Sequence, residues 1–231
     1  GLVSVTLAQE DPVKNFKLNL ESTGIVAEAA RLYNIPRIVF ASSAAVYGNL
    51  DKLPIQEDDI KEPIGNYGTA KLMSEMLLKS YSQSYGITAI SNRFFNVFGP
   101  RQDPHSPYSG VISIFVDRFS KNKQAIVFGD GLQSRDFISV YDIALGLYLA
   151  ATSPEARSGS YNLCTSDRKT LLDLIDTLKE QFPDAPAVRF EAERAGDIKH
   201  SQGDNQKATR DLGFHPQVTF EDGIRGLVDS L

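Results

Sequence analysis

The chain has 231 residues, of which 42% are hydrophobic and 23% are charged, and its net charge is -5. This is the composition of an ordinary globular protein, large enough for one domain with a smaller lobe. No basic stripe is present, so nucleic acid is not an expected partner. No apolar run approaches the roughly 20 residues that a membrane span requires, so we expect no membrane association either.

The cysteine and histidine residues indicate the expected cellular compartment and whether a metal site is expected. Cys164 is the single cysteine, so no internal disulfide can form, which is typical of a reducing compartment. It lies in an apolar run, and we expect it to be buried. The three histidines are far apart and have no metal-ligand spacing. With no signal peptide visible at the start of the sequence, we predict a cytoplasmic protein without a metal.

The first hundred residues alternate between helical and strand patterns. Asp11-Pro12 is typical of a helix start, and Gly86 is a plausible helix end. Helices are predicted over residues 12–34 and 67–85, and strands over residues 37–43 and 87–97. The run at 37–43 is continuously apolar, which predicts a strand buried on both faces of a parallel sheet. This alternation predicts an α/β fold with a doubly wound sheet.

The pattern changes after residue 100, where loops lengthen and helices become isolated. Helices are predicted over 111–121, 140–152, 170–182 and 220–231, and short strands over 125–128 and 188–190. We predict a partial Rossmann-like domain over residues 1–100 and a smaller mixed lobe over residues 101–231. The two parts can exchange segments, so the boundary between them is soft.

The spacing of Tyr67 and Lys71 carries the first chemical signal. On a helix, positions i and i+4 share one face, so the ammonium would lie near the phenol. At ~5 Å and an effective dielectric near 20, the two charges would interact by roughly 3 kcal/mol. That would lower the tyrosine pKa by about two from its reference near 10, enough for a general base. The spacing alone is common by chance. Ser43, at the end of a predicted buried strand, adds a hydroxyl where open α/β sheets bind ligands.

Six segments together resemble the extended short-chain dehydrogenases/reductases, within the NAD-dependent epimerase/dehydratase family. They are residues 41–48 (ASSAAVYG), 66–71 (NYGTAK), 93–102 (RFFNVFGPRQ), 128–131 (FGDG), 134–137 (SRDF) and 194–197 (RAGD). Their order and spacing follow the family along essentially the whole chain. The resemblance is closest to the nucleotide-sugar 4-epimerases.

The resemblance implies roles for specific residues. Tyr67 would be the acid/base at a sugar hydroxyl, with NAD as the hydride carrier. Lys71 would tune Tyr67 and bind the nicotinamide ribose, and Ser43 would share the proton network of the sugar O4. Ser42 and Phe95 would also lie at the cofactor. The implied substrate-binding residues are Asn96, Val127, Phe128, Arg135, Arg194, Asp197 and Ser201.

The substrate class follows from chemistry as well as resemblance. Two guanidiniums, those of Arg135 and Arg194, suit a diphosphate, and the carboxylate of Asp197 suits a ribose diol. The family's 4,6-dehydratases carry an acidic pair after the strand-end hydroxyl, whereas this chain has Ala44 and Ala45. Epimerisation of a UDP-hexose at C4 is therefore expected. Serine at position 201 leaves room for N-acetylated sugars, in addition to UDP-glucose and UDP-galactose.

Alternatives remain open at this point. A related nucleotide-sugar decarboxylase or reductase is one, and a fragment that only binds sugar nucleotides is another. The second arises because the chain contains no Gly-x-x-Gly-x-x-Gly motif. The resemblance implies that two βαβ units, roughly 60–80 residues, are absent, and we expect weakened NAD binding without them. The family's usual pairing of subunits also predicts a homodimer through helices 12–34 and 67–85.

Overall fold

The computed structural model describes residues 1–102, 110–193 and 198–231. The helices are α1 (Val5–Glu10), α2 (Pro12–Phe16), α3 (Ser22–Leu32), α4 (Gly65–Tyr85), α5 (Val111–Ser120), α6 (Val140–Thr152), α7 (Leu171–Gln181), α8 (Gln206–Leu212) and α9 (Phe220–Val228). The strands are β1 (Arg37–Ser43), β2 (Thr88–Phe94), β3 (Asn96–Phe98), β4 (Ile126–Phe128), β5 (Ser134–Arg135), β6 (Phe137–Ser139), β7 (Gly159–Leu163), β8 (Lys169–Thr170) and β9 (Arg189–Glu191). None of the described helices combines the length and the apolar character needed to cross a membrane.

A parallel sheet in the order β1-β2-β7 forms the centre of the main domain. Ile38 and Phe40 of β1 pack towards α3 and α4, in a cluster with Ala27 and Leu78. Val39, between them in sequence, packs on the opposite face with residues of α6. Helices therefore cover both faces of a parallel sheet, and the predicted doubly wound α/β fold is confirmed.

The residues of β1 are less completely buried than predicted, although helices cover both of its faces. Only Ser42 is buried in this strand, while Ala41 is exposed and the other residues are half-buried. In the described part of the chain, β1 pairs with β2 alone.

The predicted helix over residues 12–34 is present, but it contains a π-helical turn at Lys17–Glu21. Its buried face carries polar residues: Asn19 donates to the Leu2 carbonyl (2.9 Å) and to Asn15 Oδ1 (2.8 Å). The apolar residues Ile25 and Leu32 are 63% and 60% exposed. The apolar periodicity thus predicts the helix correctly, although its apolar side faces outward.

Helix α4 holds the Tyr67–Lys71 segment and runs along the sheet. It ends at Gly86, which takes the left-handed conformation (φ 72°) and donates its N–H to the Ser82 carbonyl. The predicted glycine cap is therefore confirmed. Because the helix begins at Gly65, both Tyr67 and Lys71 lie in its first two turns, beside the end of β1.

The smaller lobe is built from short strand pairs and three helices. Its core joins Phe98, Val127 and Phe137 to side chains of α5, α7 and α9. The chain then returns to the main domain. Helix α6 covers one face of the main sheet, and β7 adds a strand to that sheet beside β2. Residues of the second predicted region thus complete the sheet of the first.

One segment, residues 199–204, joins the lobe to the main sheet, and we call it the strap. At the lobe end, Ser134 N donates to the Lys199 carbonyl (2.9 Å) and Ser201 N donates to the Ser134 carbonyl (3.0 Å). At the other end, Ile55 N donates to the Gln202 carbonyl and Asp204 N to the Ile55 carbonyl, both at 2.8 Å. The strap is therefore tied by main-chain hydrogen bonds on both sides.

Candidate active site

The predicted catalytic residues meet at the carboxyl end of the parallel strands. Ser43, the last residue of β1, is paired with Phe94 of β2, which is paired in turn with Leu163 of β7. Asn96 begins β3 just beyond this edge. In open α/β sheets, ligands bind in the crevice outside these strand ends.

Tyr67, Ser43 and Lys71 lie together at this edge. The Ser43 side chain is close enough to the Tyr67 phenol to oppose the rise of its pKa on burial. Lys71 Nζ lies 5.7 Å from the centre of the Tyr67 ring and donates to the Ala41 carbonyl at 2.8 Å. It also lies 4.9 Å from the centre of the Phe40 ring. The strand end thus supplies a hydroxyl and a carbonyl that orient the two side chains of α4.

The expected lowering of the tyrosine pKa is not found, and this part of the prediction is wrong. Burial raises the pKa of Tyr67, and the Ser43 side chain opposes that rise. Burial also lowers the pKa of the Lys71 ammonium. The spacing argument assumed partly solvated charges, whereas both groups are largely withdrawn from water.

A third residue on the same face of α4, Glu75, was missed by the sequence reasoning. It follows Lys71 by one further helical turn, so the repeat at 67, 71 and 75 was the available signal. Its carboxylate accepts from Ser42 Oγ (2.5 Å), from Arg93 Nε and Nη2 (3.0 and 2.6 Å), and from Ser160 Oγ (3.0 Å). Ser42, expected at the cofactor, therefore has its hydroxyl committed to Glu75.

Asp136 is a second residue that the sequence reasoning did not single out. Its buried carboxylate accepts from Thr165 N and Oγ1, Ser166 N and Gly203 N, at 2.7 to 3.2 Å. Burial raises its pKa to about 6 despite these donors. It connects the loop after β7 to the strap, next to Asn96, whose N–H donates to the Asp136 carbonyl.

Three of the residues predicted to bind the substrate lie around β5. Arg135 Nη1 donates to the Ser134 carbonyl (2.9 Å) and to the Lys199 carbonyl (3.3 Å). The Asp136–Asn96 and Ser134–Ser201 main-chain bonds hold Asn96, Arg135 and Ser201 beside one another. The Asn96 side chain is exposed and the Ser201 side chain is half-buried. Arg194 and Asp197 lie outside the described residues.

Three further residues that were predicted to bind the substrate or the cofactor have side chains that are less accessible than that of Asn96. Val127 is fully buried in the lobe core, so only its main chain is available to a ligand. Phe128 is half-buried and its carbonyl accepts from Gln133 Nε2 at 2.7 Å. Phe95 is 6% exposed and packs with Tyr47 and Cys164. Cys164 is buried as predicted, and burial raises the pKa of its thiol.

Comparison with known proteins agrees with this geometry. Residues 2–164 match the model of a family described as NAD dependent epimerase/dehydratase. The chain belongs to the NAD dependent epimerase/dehydratase family. The UDP-glucose 4-epimerase of Mycolicibacterium smegmatis is 32% identical over 98% of this chain and 72% of that protein.

Solved structures of the family superpose closely. The UDP-N-acetylglucosamine 4-epimerase of Methanobrevibacter ruminantium, in complex with UDP-N-acetylmuramic acid, gives a TM-score of 0.95 at 34% identity. The UDP-glucose 4-epimerase of Thermus thermophilus, in complex with NAD, gives 0.89 at 34% identity. Each match covers 100% of this chain and about three quarters of the other one.

Proposed function

We propose that this protein interconverts UDP-hexoses at C4, including UDP-glucose and UDP-galactose, with NAD as its cofactor. The observation that carries the proposal is the placement of Tyr67 and Ser43 beside buried Lys71, at the carboxyl end of a parallel sheet. A phenol, a hydroxyl and an ammonium in this arrangement can move a proton to and from a sugar oxygen. The named relatives act on sugar nucleotides of this class.

The side chains at the strand edge suit the nicotinamide end of NAD. Lys71 donates one hydrogen bond to the Ala41 carbonyl, which leaves other N–H donors for ribose hydroxyls. Phe95 lies one residue beyond β2, beside the same edge. Because the 231 residues contain no Gly-x-x-Gly-x-x-Gly motif, we assign only this end of the cofactor.

Bound NAD supplies the site with a group that can take up a hydride and give it back. Tyr67 takes the O4 proton of the sugar as the C4–H bond breaks, which leaves a 4-keto sugar. Ser43 donates to the same oxygen and keeps it within reach of the phenol. After the keto sugar turns its other face to the cofactor, Tyr67 returns the proton to O4. No net proton or electron leaves the site in a turnover.

The lobe holds the UDP moiety in this proposal. Arg135 faces the diphosphate together with Arg194, Asn96 reaches the same group, and Asp197 binds the uridine ribose. Main-chain groups near Val127 and Phe128 complete the pocket. Ser201 is small and half-buried, which favours acceptance of N-acetylated UDP-hexoses as well.

We further propose a homodimer in the cytoplasm, formed through helices 12–34 and 67–85. The supporting observation is the exposed apolar side chains of the two helices: Ile25 and Leu32 of α3 are at least 60% exposed, and Met73 of α4 is 40% exposed. Exposed apolar surface is typical of interfaces. Two copies of the helix pair would bury it as a four-helix interface.

The test is turnover of UDP-galactose to UDP-glucose by the purified protein with NAD, followed by chromatography. Tyr67→Phe should reduce the rate by about 10² to 10⁴, while Tyr148→Phe, at an exposed tyrosine, should not. An equal loss of rate in the two variants would contradict the proposal, and so would an unchanged rate in both. Calorimetry that detects UDP binding without NAD binding would instead favour a protein that only binds sugar nucleotides.

A further inference from the structure

A large groove lies away from the candidate active site, on the face of the sheet that carries α4. It encloses about 870 Å³ between α4 and α8, over the middle of β2 and β7. Ser91 and Arg93 of β2 lie at its floor, while Lys79 and Lys207 come from the two helices. Neither Ser43, Tyr67 nor Lys71 lines it. Its size is in the range of pockets that hold small organic ligands.

Three lysines of this groove, Lys61, Lys79 and Lys207, form no salt bridge within the ranges that the structure describes. Four carboxylates also line the groove, those of Glu57, Asp58, Glu75 and Asp204. Lys207 Nζ donates to the Ser160 carbonyl (2.6 Å) and lies 4.4 Å from the centre of the Tyr161 ring. Burial lowers the pKa values of Lys61 and Lys207, and nearby carboxylates, including Glu75 for Lys61 and Glu57 for Lys207, oppose these shifts.

Most carboxylates of the groove are already engaged by other donors. Glu75 is paired with Arg93 through two hydrogen bonds. Glu57 accepts from the main-chain N–H of Asn162 (2.8 Å), and Asp204 accepts from Gln206 N (2.9 Å) and Gln56 Nε2 (3.0 Å). Asp58 is exposed. The lysines thus retain N–H donors for an incoming anion.

The groove floor offers a further donor. Ser91 is 4% exposed, and its hydroxyl makes no hydrogen bond within the part of the chain that the structure describes. Because Ser91 lines the groove, its hydroxyl remains available to a ligand there. Leu72, Leu78 and Ala89 add an apolar portion to the lining. Cations, a hydroxyl and an apolar wall suit a phosphate group attached to an organic body.

We propose that this groove is a second ligand site, which binds a small phosphorylated organic molecule through Lys61, Lys79 and Lys207. The site is separate from the sugar-nucleotide crevice and does not depend on the proposed epimerase activity. Its floor nevertheless includes Glu75 and Arg93, and Glu75 also accepts from Ser42, the neighbour of Ser43. Occupancy of the groove is thereby connected to the strand end that carries Ser43.

The first experiment titrates pyrophosphate into the purified protein by calorimetry, with excess UDP and NAD present to saturate the other crevice. We expect saturable binding that the double variant Lys61→Gln, Lys79→Gln weakens about tenfold, since charge-assisted contacts are lost. Lys123→Gln, at an exposed lysine remote from the groove, is the matched control and should bind as wild type. Thermal unfolding establishes that all variants are folded.

Absence of saturable binding overturns the proposal, and so does equal affinity in the double variant and wild type. A second titration compares AMP with inorganic phosphate under the same conditions. Tighter binding of AMP supports a ligand with an organic body, whereas equal or weaker binding of AMP contradicts that part of the proposal.

Discussion

Glu75 and Arg93 form a bidentate salt bridge in the interior, with Arg93 Nη2 2.6 Å from Glu75 Oε2. The pair joins α4 to β2, and further bonds from Ser42 and Ser160 extend it to β1 and β7. Burial opposes the charge of Arg93, but the bond with Glu75 still raises its pKa. The helix that carries Tyr67 is therefore held against all three strands by one carboxylate.

Glu75→Gln should lower the free energy of unfolding by about 3 to 5 kcal/mol, because it leaves the Arg93 charge buried without its partner. Denaturant titration measures the change. Glu28→Gln is the control, since Glu28 pairs with Arg31 at the protein surface and should have little effect. Equal changes in the free energy of unfolding would show that the buried pair contributes no more to stability than the surface pair.

Ser43→Ala should shift the pH dependence of epimerisation to higher pH. The Ser43 hydroxyl stabilises the phenolate, so it lowers a Tyr67 pKa that burial has raised. Without it the pKa rises further, and less phenolate is present at any given pH. The rate should therefore climb at a higher pH than in wild type. Ser84→Ala, at an exposed position of α4, should leave the profile in place.

Lys71→Met should reduce kcat by on the order of 100-fold, because it removes a positive charge that faces the reacting oxygen. It also leaves the Ala41 carbonyl without its donor. Steady-state kinetics with UDP-galactose measures the effect, and Lys123→Met is the control. A normal kcat in Lys71→Met would show that the ammonium is not required for the proposed reaction.

Gly203→Ala should destabilise the protein by about 1 to 3 kcal/mol. A Cβ there would lie 2.6 Å from both Cys164 Sγ and Phe95 Cζ, so the Phe95 ring would have to move. Gly226→Ala has nothing within 4 Å and lies inside α9. That control should stabilise by about 0.5 to 1 kcal/mol. Opposite signs of the two changes in thermal unfolding are the expected result.

Ser201→Tyr should abolish turnover of a UDP-N-acetylhexose while leaving turnover of UDP-galactose largely intact. The larger side chain would fill the space proposed for the acetamido group. Ser201→Ala, which keeps that space, should retain both activities. Full activity of Ser201→Tyr on the N-acetylated substrate would contradict the proposed specificity.

The sequence predicted correctly those elements whose structure depends on a local residue pattern. Helix α6 matches its predicted bounds, and α4 differs from its prediction only at the start. The parallel pairing of β1 with β2 also agrees with the predicted alternation of helices and strands. These features depend on periodicity and on turn residues such as Gly86, which act over short distances.

Features set by tertiary contacts could not be predicted. The inward asparagines of the first helical segment depend on the Leu2 carbonyl, which is distant in sequence from Asn19. The Tyr67 pKa depends on burial, which residue spacing does not determine. The strand β7 was missed because it is short and begins with Gly159 and Ser160, and because its pairing partner β2 is far away in the chain.

The strap has a consequence for substrate turnover. Its residues are anchored to β5 at one end and to Ile55 at the other, with Gly203 also bound to Asp136. A shift of the lobe against the sheet would therefore strain a stretch of six residues that includes Ser201. If the proposed function is correct, the residue beside the sugar is held in place from both the lobe and the sheet.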